Sequence, residues 1–415
     1  MKKLALLFPG QGSQHIGMGR DLCQYFPIAN KTFEEASDTL NLDMKKLCFE
    51  GDKKELTKTG NAQPALLTLS VAKYRVYKQE LGITPSLAAG HSLGEFSALT
   101  CSNAVSFPDA LKMVRMRGQL MQKVSKEGTG GMMAVSGLNK DAIEDVCCQV
   151  SGPTQVVVIA NYNSPDQIVI SGHKNALDKA GKRLSSKGAK VVPLDVSAAF
   201  HSPLLEESAE KFAAELAKYS FKMPDWPVIS NYNALPYKDE TTIRLFLKKQ
   251  ITHPIQWQST MEYMKNQGIN VALEIGPKKV LKNLMKKNCE HINVYSTNTR
   301  EDLQELYEID PEDFIDKRPT LLERCLAMAV CTPNRNFNKE AFENGVIQPY
   351  QKIKNTYYQL IDEKKEPDAH QMKEAIILLQ KIFDTKKISV YQQRKRFKKL
   401  FKETGTEHLF LDFKI

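Results

Sequence analysis

Five consecutive apolar residues, Leu4 to Phe8, are cut off by the turn-rich stretch Pro9-Gly10-Gln11-Gly12-Ser13-Gln14. A short apolar run with an abrupt stop reads as a strand buried on both faces. From 63 to 81 apolar positions recur at helical spacing, and Pro64 suits a first helical turn. Leu87 to Ala89 is a second short run ending at Gly90, and residues 93–100 and 107–124 return to helical spacing. Between 130 and 196 the rhythm is self-contained. Runs at 131–136, 156–161, 167–171 and 190–196 predict strands, while 140–150 and 173–187 predict helices. The order β-α-β-β-α-β is the ferredoxin-like arrangement. It predicts a small subdomain inserted in a larger α/β one. The larger one resumes with helices over 203–218, 241–250 and 257–267 and strands at 228–230 and 271–274.

After about residue 300 the pattern changes. Glu301 to Asp316 carries acids and no base, and Lys386 to Lys402 carries bases and no acid. Between them, Gln371 to Phe383 has apolar residues at i, i+3, i+4 spacing. The expected organisation is an α/β domain over 1–300, with its insert at about 130–196, and a mainly helical extension over 301–415.

Composition narrows the class without choosing a function. With 42% hydrophobic and 26% charged residues the 415-residue chain is ordinary globular protein. No apolar run approaches the roughly 20 residues a membrane span needs. Leu4 to Phe8 is too short for a signal-peptide core, so the cytoplasm is the expected compartment. The eight cysteines show no C-x-x-C pair and no zinc-like spacing, which predicts reduced thiols and no metal. A net charge of +10 suits an anionic partner.

The candidate chemistry starts at Gly90-x-Ser92-x-Gly94, placed at a strand-to-helix turn. This is the nucleophile-elbow pattern, in which glycines let the backbone pack while the hydroxyl projects. A serine at a helix start can equally be a cap. A nucleophile needs a base. His201 follows the strand-like Val196 to Phe200 and precedes Ser202-Pro203, a loop position suited to catalysis. His91 adjoins the serine and reads as structural. The N–H of Leu93, at the helix start, can stabilise an oxyanion, and the Gly10-Gln11-Gly12 loop can supply a second donor.

Seven separated stretches then agree in order: PGQGSQ (9–14), GHSLGEFSAL (90–99), Arg115 to Gly118, YNSPDQIVISG (162–172), AAFHS (198–202), QITHPIQW (250–257) and EIGP (274–277). Together they resemble the malonyl-CoA:acyl carrier protein transacylases over residues 1 to 300. The resemblance implies an α/β-hydrolase-like subdomain carrying the ferredoxin-like one. It also implies Ser92 as the acyl-accepting nucleophile, His201 as the base and N–H groups of Gln11 and Leu93 as the oxyanion hole. Arg117 would bind the malonyl carboxylate, and Gln250 would orient His201 through its carbonyl. Phe200 would crowd the α-carbon against methylmalonyl, and Asn163 is a candidate substrate contact. Read without the family, Arg117 is a solvated helix residue and Gln250 a surface polar one. The implied reaction passes malonyl from malonyl-CoA through Ser92 to the phosphopantetheine thiol of an acyl carrier protein or carrier domain. Fatty acid, polyketide or lipopeptide synthesis would use it. No bound cofactor, nucleic acid or membrane partner is expected, and the chain is taken as a monomer.

The extension beyond 300 departs from the usual stand-alone enzyme and fits a discrete acyltransferase serving an assembly line in trans. Its basic stretch reads either as a solvated face or as a docking surface for an acidic carrier protein. A hydrolase clearing acyl groups from carrier proteins is the rival function. It would share Ser92 and His201 but have no use for Arg117.

Overall fold

The computed structural model describes every residue except 1, 126–129, 197, 300, 303, 304, 306–310, 315–318, 364, 411, 412, 414 and 415. Strand β1 (Leu4–Phe8) is followed by four helices, α1 (Arg20–Tyr25), α2 (Pro27–Leu40), α3 (Met44–Phe49) and α4 (Lys53–Thr57), and by the long α5 (Thr59–Glu80). Then come β2 (Leu87–Gly90), α6 (Leu93–Cys101) and α7 (Phe107–Ser125). The insert runs β3 (Gly130–Ser136), α8 (Lys140–Val150), β4 (Val157–Ser164), β5 (Gln167–His173), α9 (Lys174–Ser186) and β6 (Lys190–Pro193). After it lie α10 (Glu206–Leu216), β7 (Val228–Ile229), α11 (Glu240–Thr252), α12 (Trp257–Asn266), β8 (Val271–Glu274), α13 (Val280–Asn288) and β9 (Asn293–Ser296).

The large sheet has the order β7-β2-β1-β8-β9 with every pair parallel. The continuous apolar run of β1 follows from burial on both faces. Leu4, Leu6 and Phe8 enter a core with Phe33, Leu66 and Phe96, whereas Ala5 and Leu7 enter a second core with Trp257, Met261 and Leu281. Successive side chains point to opposite faces of a strand, so a strand between two helical layers must be apolar throughout. The insert forms a four-stranded antiparallel sheet, order β4-β5-β3-β6, with α8 and α9 closing its own core around Val135, Ile143, Ile170 and Leu184. The fold is thus α/β, with an α/β-hydrolase-like subdomain and a ferredoxin-like one.

Three expectations are corrected. Pro64 lies inside α5, because Thr59 to Gln63 are drawn into the buried helix ahead of it. The closing strand of the insert stops at Pro193. The chain divides into compact units Met1–Ile315 and Asp316–Ile415, later than residue 300. Phe314 packs on the first unit's core and Lys2 meets Asp313 at 2.6 Å, which carries that unit past 300.

The second unit is helical: α14 (Leu321–Cys331), a turn at Lys339–Phe342 leading through Glu343–Ile347 into α15 (Gln348–Glu363), α16 (Ala369–Thr385) and α17 (Val390–Thr404). Thr320, Asp368 and Ser389 cap α14, α16 and α17, and Gly405 ends α17 in the left-handed region. Cys325, Ile353, Leu379, Phe383, Phe397 and Leu400 form its core. Lys386, expected as part of a basic face, is buried instead. Its Nζ donates to the carbonyls of Ala329 and Thr332 at 2.7 Å each, satisfying the end of α14.

Candidate active site

Gly90 ends β2, and the chain turns through His91 and Ser92 into α6. The turn is too tight for side chains at its flanks. A Cβ on Gly90 would lie 1.8 Å from the Gly94 carbonyl carbon, and one on Gly94 would lie 1.9 Å from the Phe8 carbonyl oxygen. Ser92 itself sits at φ 52°, ψ −107°, a strained conformation for a non-glycine residue. Its hydroxyl makes no capping bond to α6, which removes the cap reading. Instead Oγ lies 2.9 Å from His201 Nε2 and 3.2 Å from Arg117 Nη2.

His201, also at positive φ (56°), is buried. Its Nδ1 donates to the main-chain carbonyl of Gln250 at 2.6 Å. A carbonyl only accepts, so the proton sits on Nδ1 and the Nε2 lone pair faces the serine hydroxyl. Burial, with the charge of Arg117, pushes the imidazole down to about 3. The ring is therefore neutral, with its Nε2 lone pair free towards the serine hydroxyl.

Arg117, from α7, is 1% exposed. Two glutamine oxygens hold its guanidinium: Gln63 Oε1 at 2.9 Å from Nη1 and Gln250 Oε1 at 2.8 Å from Nη2. The Phe96 ring lies beneath it, 5.6 Å from centroid to Cζ, and Nε has no hydrogen-bond partner among the described residues. Desolvation lowers its pKa to about 10, opposed by the charge of Glu95, so it stays cationic at neutral pH. Such a cation suits an anionic ligand with planar, two-oxygen geometry.

Ser92, His201, Arg117, Gln11, Leu93, Phe200 and Asn163 all line one cleft of about 580 Å³. The loop after β1 is pressed against the elbow, since a Cβ on Gly10 would meet the His91 carbonyl oxygen at 2.4 Å. That brings Gln11 beside the start of α6. Asn163 is held by His91, Nε2 to Oδ1 at 2.9 Å, and His91 packs on Trp257. Gln250 is placed differently from the surface-residue alternative. It is 1% exposed, lies behind the cleft wall rather than lining it, and links Ser92, His201 and Arg117.

Sequence reasoning missed four residues. Gln63 holds Arg117. Asn231 takes the Ser92 N–H on its Oδ1 at 2.7 Å and donates to the Gly90 carbonyl at 2.6 Å. Glu95 and Tyr237 are joined at 2.5 Å behind the elbow. Glu95 left a trace, as the one charged residue in the mainly apolar Leu93–Cys101 helix; the others did not. Among the described residues no cluster of three or more His, Cys, Asp or Glu could hold a metal, and no helix is long and apolar enough to cross a membrane.

A hydroxyl on a strained elbow, a neutral imidazole and a buried cation, set over a parallel sheet, are the groups that serine-based acyl transfer needs. The acyl transferase domain family matches residues 5–315. A malonyl CoA-acyl carrier protein transacylase of Bacillus subtilis is 38% identical over 395 residues, 95% of this chain and 99% of the relative. One from Escherichia coli strain K12 is 44% identical over 299 residues, 72% of this chain and 96% of the relative. The solved malonyl CoA-acyl carrier protein transacylase of Coxiella burnetii superposes with a TM-score of 0.72 at 40% identity, covering 74% of this chain and 96% of that one. A malonyl-transacylase solved in complex with a type II PKS acyl-carrier protein gives a TM-score of 0.71 at 41% identity, covering 73% and 98%. The chain belongs to the malonyl-CoA–acyl carrier protein transacylase family.

Proposed function

We propose that this chain transfers the malonyl group of malonyl-CoA to the phosphopantetheine thiol of an acyl carrier protein, through an ester on Ser92. The observation that carries the reading is that one hydroxyl, Ser92 Oγ, is within hydrogen-bond distance of both a neutral imidazole and a buried guanidinium. Nucleophile, base and receptor for a carboxylate thus converge on one atom.

The Ser92 hydroxyl attacks the thioester carbonyl and His201 Nε2 takes its proton. The oxyanion is stabilised by the N–H groups of Gln11 and Leu93. Collapse breaks the C–S bond; the departing CoA sulfur takes the proton from His201, leaving malonyl-Ser92. The carrier's thiol then gives its proton to His201 and attacks the ester, and the proton returns to Ser92 as the carrier thioester leaves. Arg117 pairs with the malonyl carboxylate throughout. A desolvated guanidinium without an anion is costly, which disfavours neutral acyl chains. Phe200, buried at the cleft edge, crowds a branched α-carbon, and Asn163 contacts the substrate arm. The reaction needs no bound cofactor, and the free cysteines fit a reducing cytoplasm.

Intact-mass measurement tests this directly. Malonyl-CoA adds one malonyl mass to the wild-type chain, holo-carrier protein removes it onto itself, and Ser92→Ala takes none. Rapid release of free malonate, with no carrier product, would instead mark a hydrolase.

A further inference from the structure

We propose that Glu95 is a positioning residue: a buried carboxyl group that in its ionised form only accepts hydrogen bonds, it helps set the sense of the Gln250 amide and thereby holds Arg117 for an acyl group ending in a carboxylate. The inference rests on the transfer reading above and names the element that keeps its selectivity.

Glu95 lies on α6 with no exposed surface. Its Oε1 accepts from the Asn231 N–H at 3.0 Å and the Tyr237 hydroxyl at 2.5 Å, both beyond β7. Its Oε2 accepts from Gln250 Nε2, on α11, at 2.5 Å. That nitrogen also donates to the Ser92 carbonyl at 2.9 Å, so Gln250 Oε1 is left for Arg117. Reversing the Gln250 amide would set its NH2 against the guanidinium, donor against donor. The ionised carboxylate and the Ser92 carbonyl both oppose the reversal, because each accepts only a donor, and of the two only the carboxylate can be altered by a side-chain substitution.

Glu95→Gln keeps the shape and ends this logic. An amide has one accepting oxygen. If that oxygen stays with Asn231 and Tyr237, the new NH2 faces the Gln250 NH2; Gln250 is then either pushed away or turned over against the Ser92 carbonyl, and in both cases its hold on Arg117 is lost. If the oxygen faces Gln250, the new NH2 meets the Asn231 N–H, which the backbone cannot reverse. A purely electrostatic role predicts the opposite sign, since removing a negative charge would favour an incoming carboxylate. The direction of the change therefore identifies the mechanism.

The test compares malonyl-CoA with acetyl-CoA as donors, reading the rate of Ser92 loading by intact mass. Both donors use Ser92 and His201, so their ratio isolates the Arg117 contribution. In Glu95→Gln the malonyl-to-acetyl ratio falls about ten- to hundredfold, the size of one misplaced charge-assisted hydrogen bond. In Tyr237→Phe, which keeps the carboxylate, the ratio is retained. An unchanged or increased ratio in Glu95→Gln overturns the inference. Wild-type protein gives a second measurement that needs no variant. Burial pushes Glu95 up to about 7, whereas the groups around it titrate elsewhere: Arg117 at about 10, His201 at about 3, His91 below its ordinary value and Tyr237 well above its own. Protonation gives Glu95 a donor, so the ratio falls as pH drops through neutrality; a flat ratio overturns the inference. A wild-type chain that takes no malonyl sinks the transfer reading and the inference with it. A wild type that loads, beside a variant that keeps its ratio, sinks the inference alone.

Discussion

His201 shows how one buried side chain couples the chemistry to the stability of the fold. Its ordinary value of 6.5 is lowered to about 3 by burial and by Arg117. Below pH 6.5 the unfolded chain binds a proton on this residue that the native chain refuses, so native stability falls as pH drops towards 3. The slope from this group is about 1.4 kcal/mol per pH unit. Denaturant titrations of wild type and His201→Gln at neutral pH and at pH about 5 should therefore converge by roughly 2 kcal/mol on acidification. A constant gap would mean that His201 is not held neutral. Ser92 and His201 stood out as candidates because each sits in a short local motif, and Arg117 only through the family resemblance; the structure brings the three side chains together. Gln63, Asn231 and Tyr237 did not stand out, because their roles exist only through partners 54, 139 and 142 positions away.

The elbow joins three elements at backbone contact. The β1 carbonyl of Phe8 bonds the His91 N–H at 2.9 Å and also bounds the space where a Gly94 side chain would sit. Neither neighbour can yield, since one is a central strand and the other the start of a buried helix. Gly94→Ala should cost roughly 3 kcal/mol or more in urea unfolding, and loading should be lost even where the protein remains folded. A stable, active Gly94→Ala would contradict the packing described for the elbow. Elements with a strong period or a continuous apolar run, such as β1, β2, α7 and the βαββαβ insert, were legible from sequence. The short helices α1, α3 and α4 were not, being six, six and five residues long, too brief for helical spacing to emerge. Strand β9, with its partly exposed Asn293-Val294-Tyr295, likewise lacked the apolar run that marks an inner strand, because it lies at the sheet edge.

At the scale of the whole chain, the relatives separate transfer from the C-terminal unit. The Escherichia coli transacylase is matched over 299 residues and 96% of its length, so it has no counterpart of the second unit, whereas the 395-residue match to the Bacillus subtilis one runs well into it. Both carry the same name, so the extension does not by itself mark a different reaction. Every residue assigned to the site lies in Met1–Ile315, and the second unit closes its own core around Leu379, Phe383 and Phe397. A chain ending at 315 should therefore fold and load malonyl from malonyl-CoA at a rate within about threefold of the full chain, a difference under ~0.7 kcal/mol. The segment 316–415 should show helical circular dichroism and a cooperative thermal transition alone. Loading lost on truncation, with the shorter chain still folded, would place part of the transfer machinery in the extension. Retained loading with weakened transfer to a carrier protein would assign the extension to the second half-reaction, where the solvent-facing lysines of α17, Lys395, Lys398 and Lys402, are the residues to reverse in charge first.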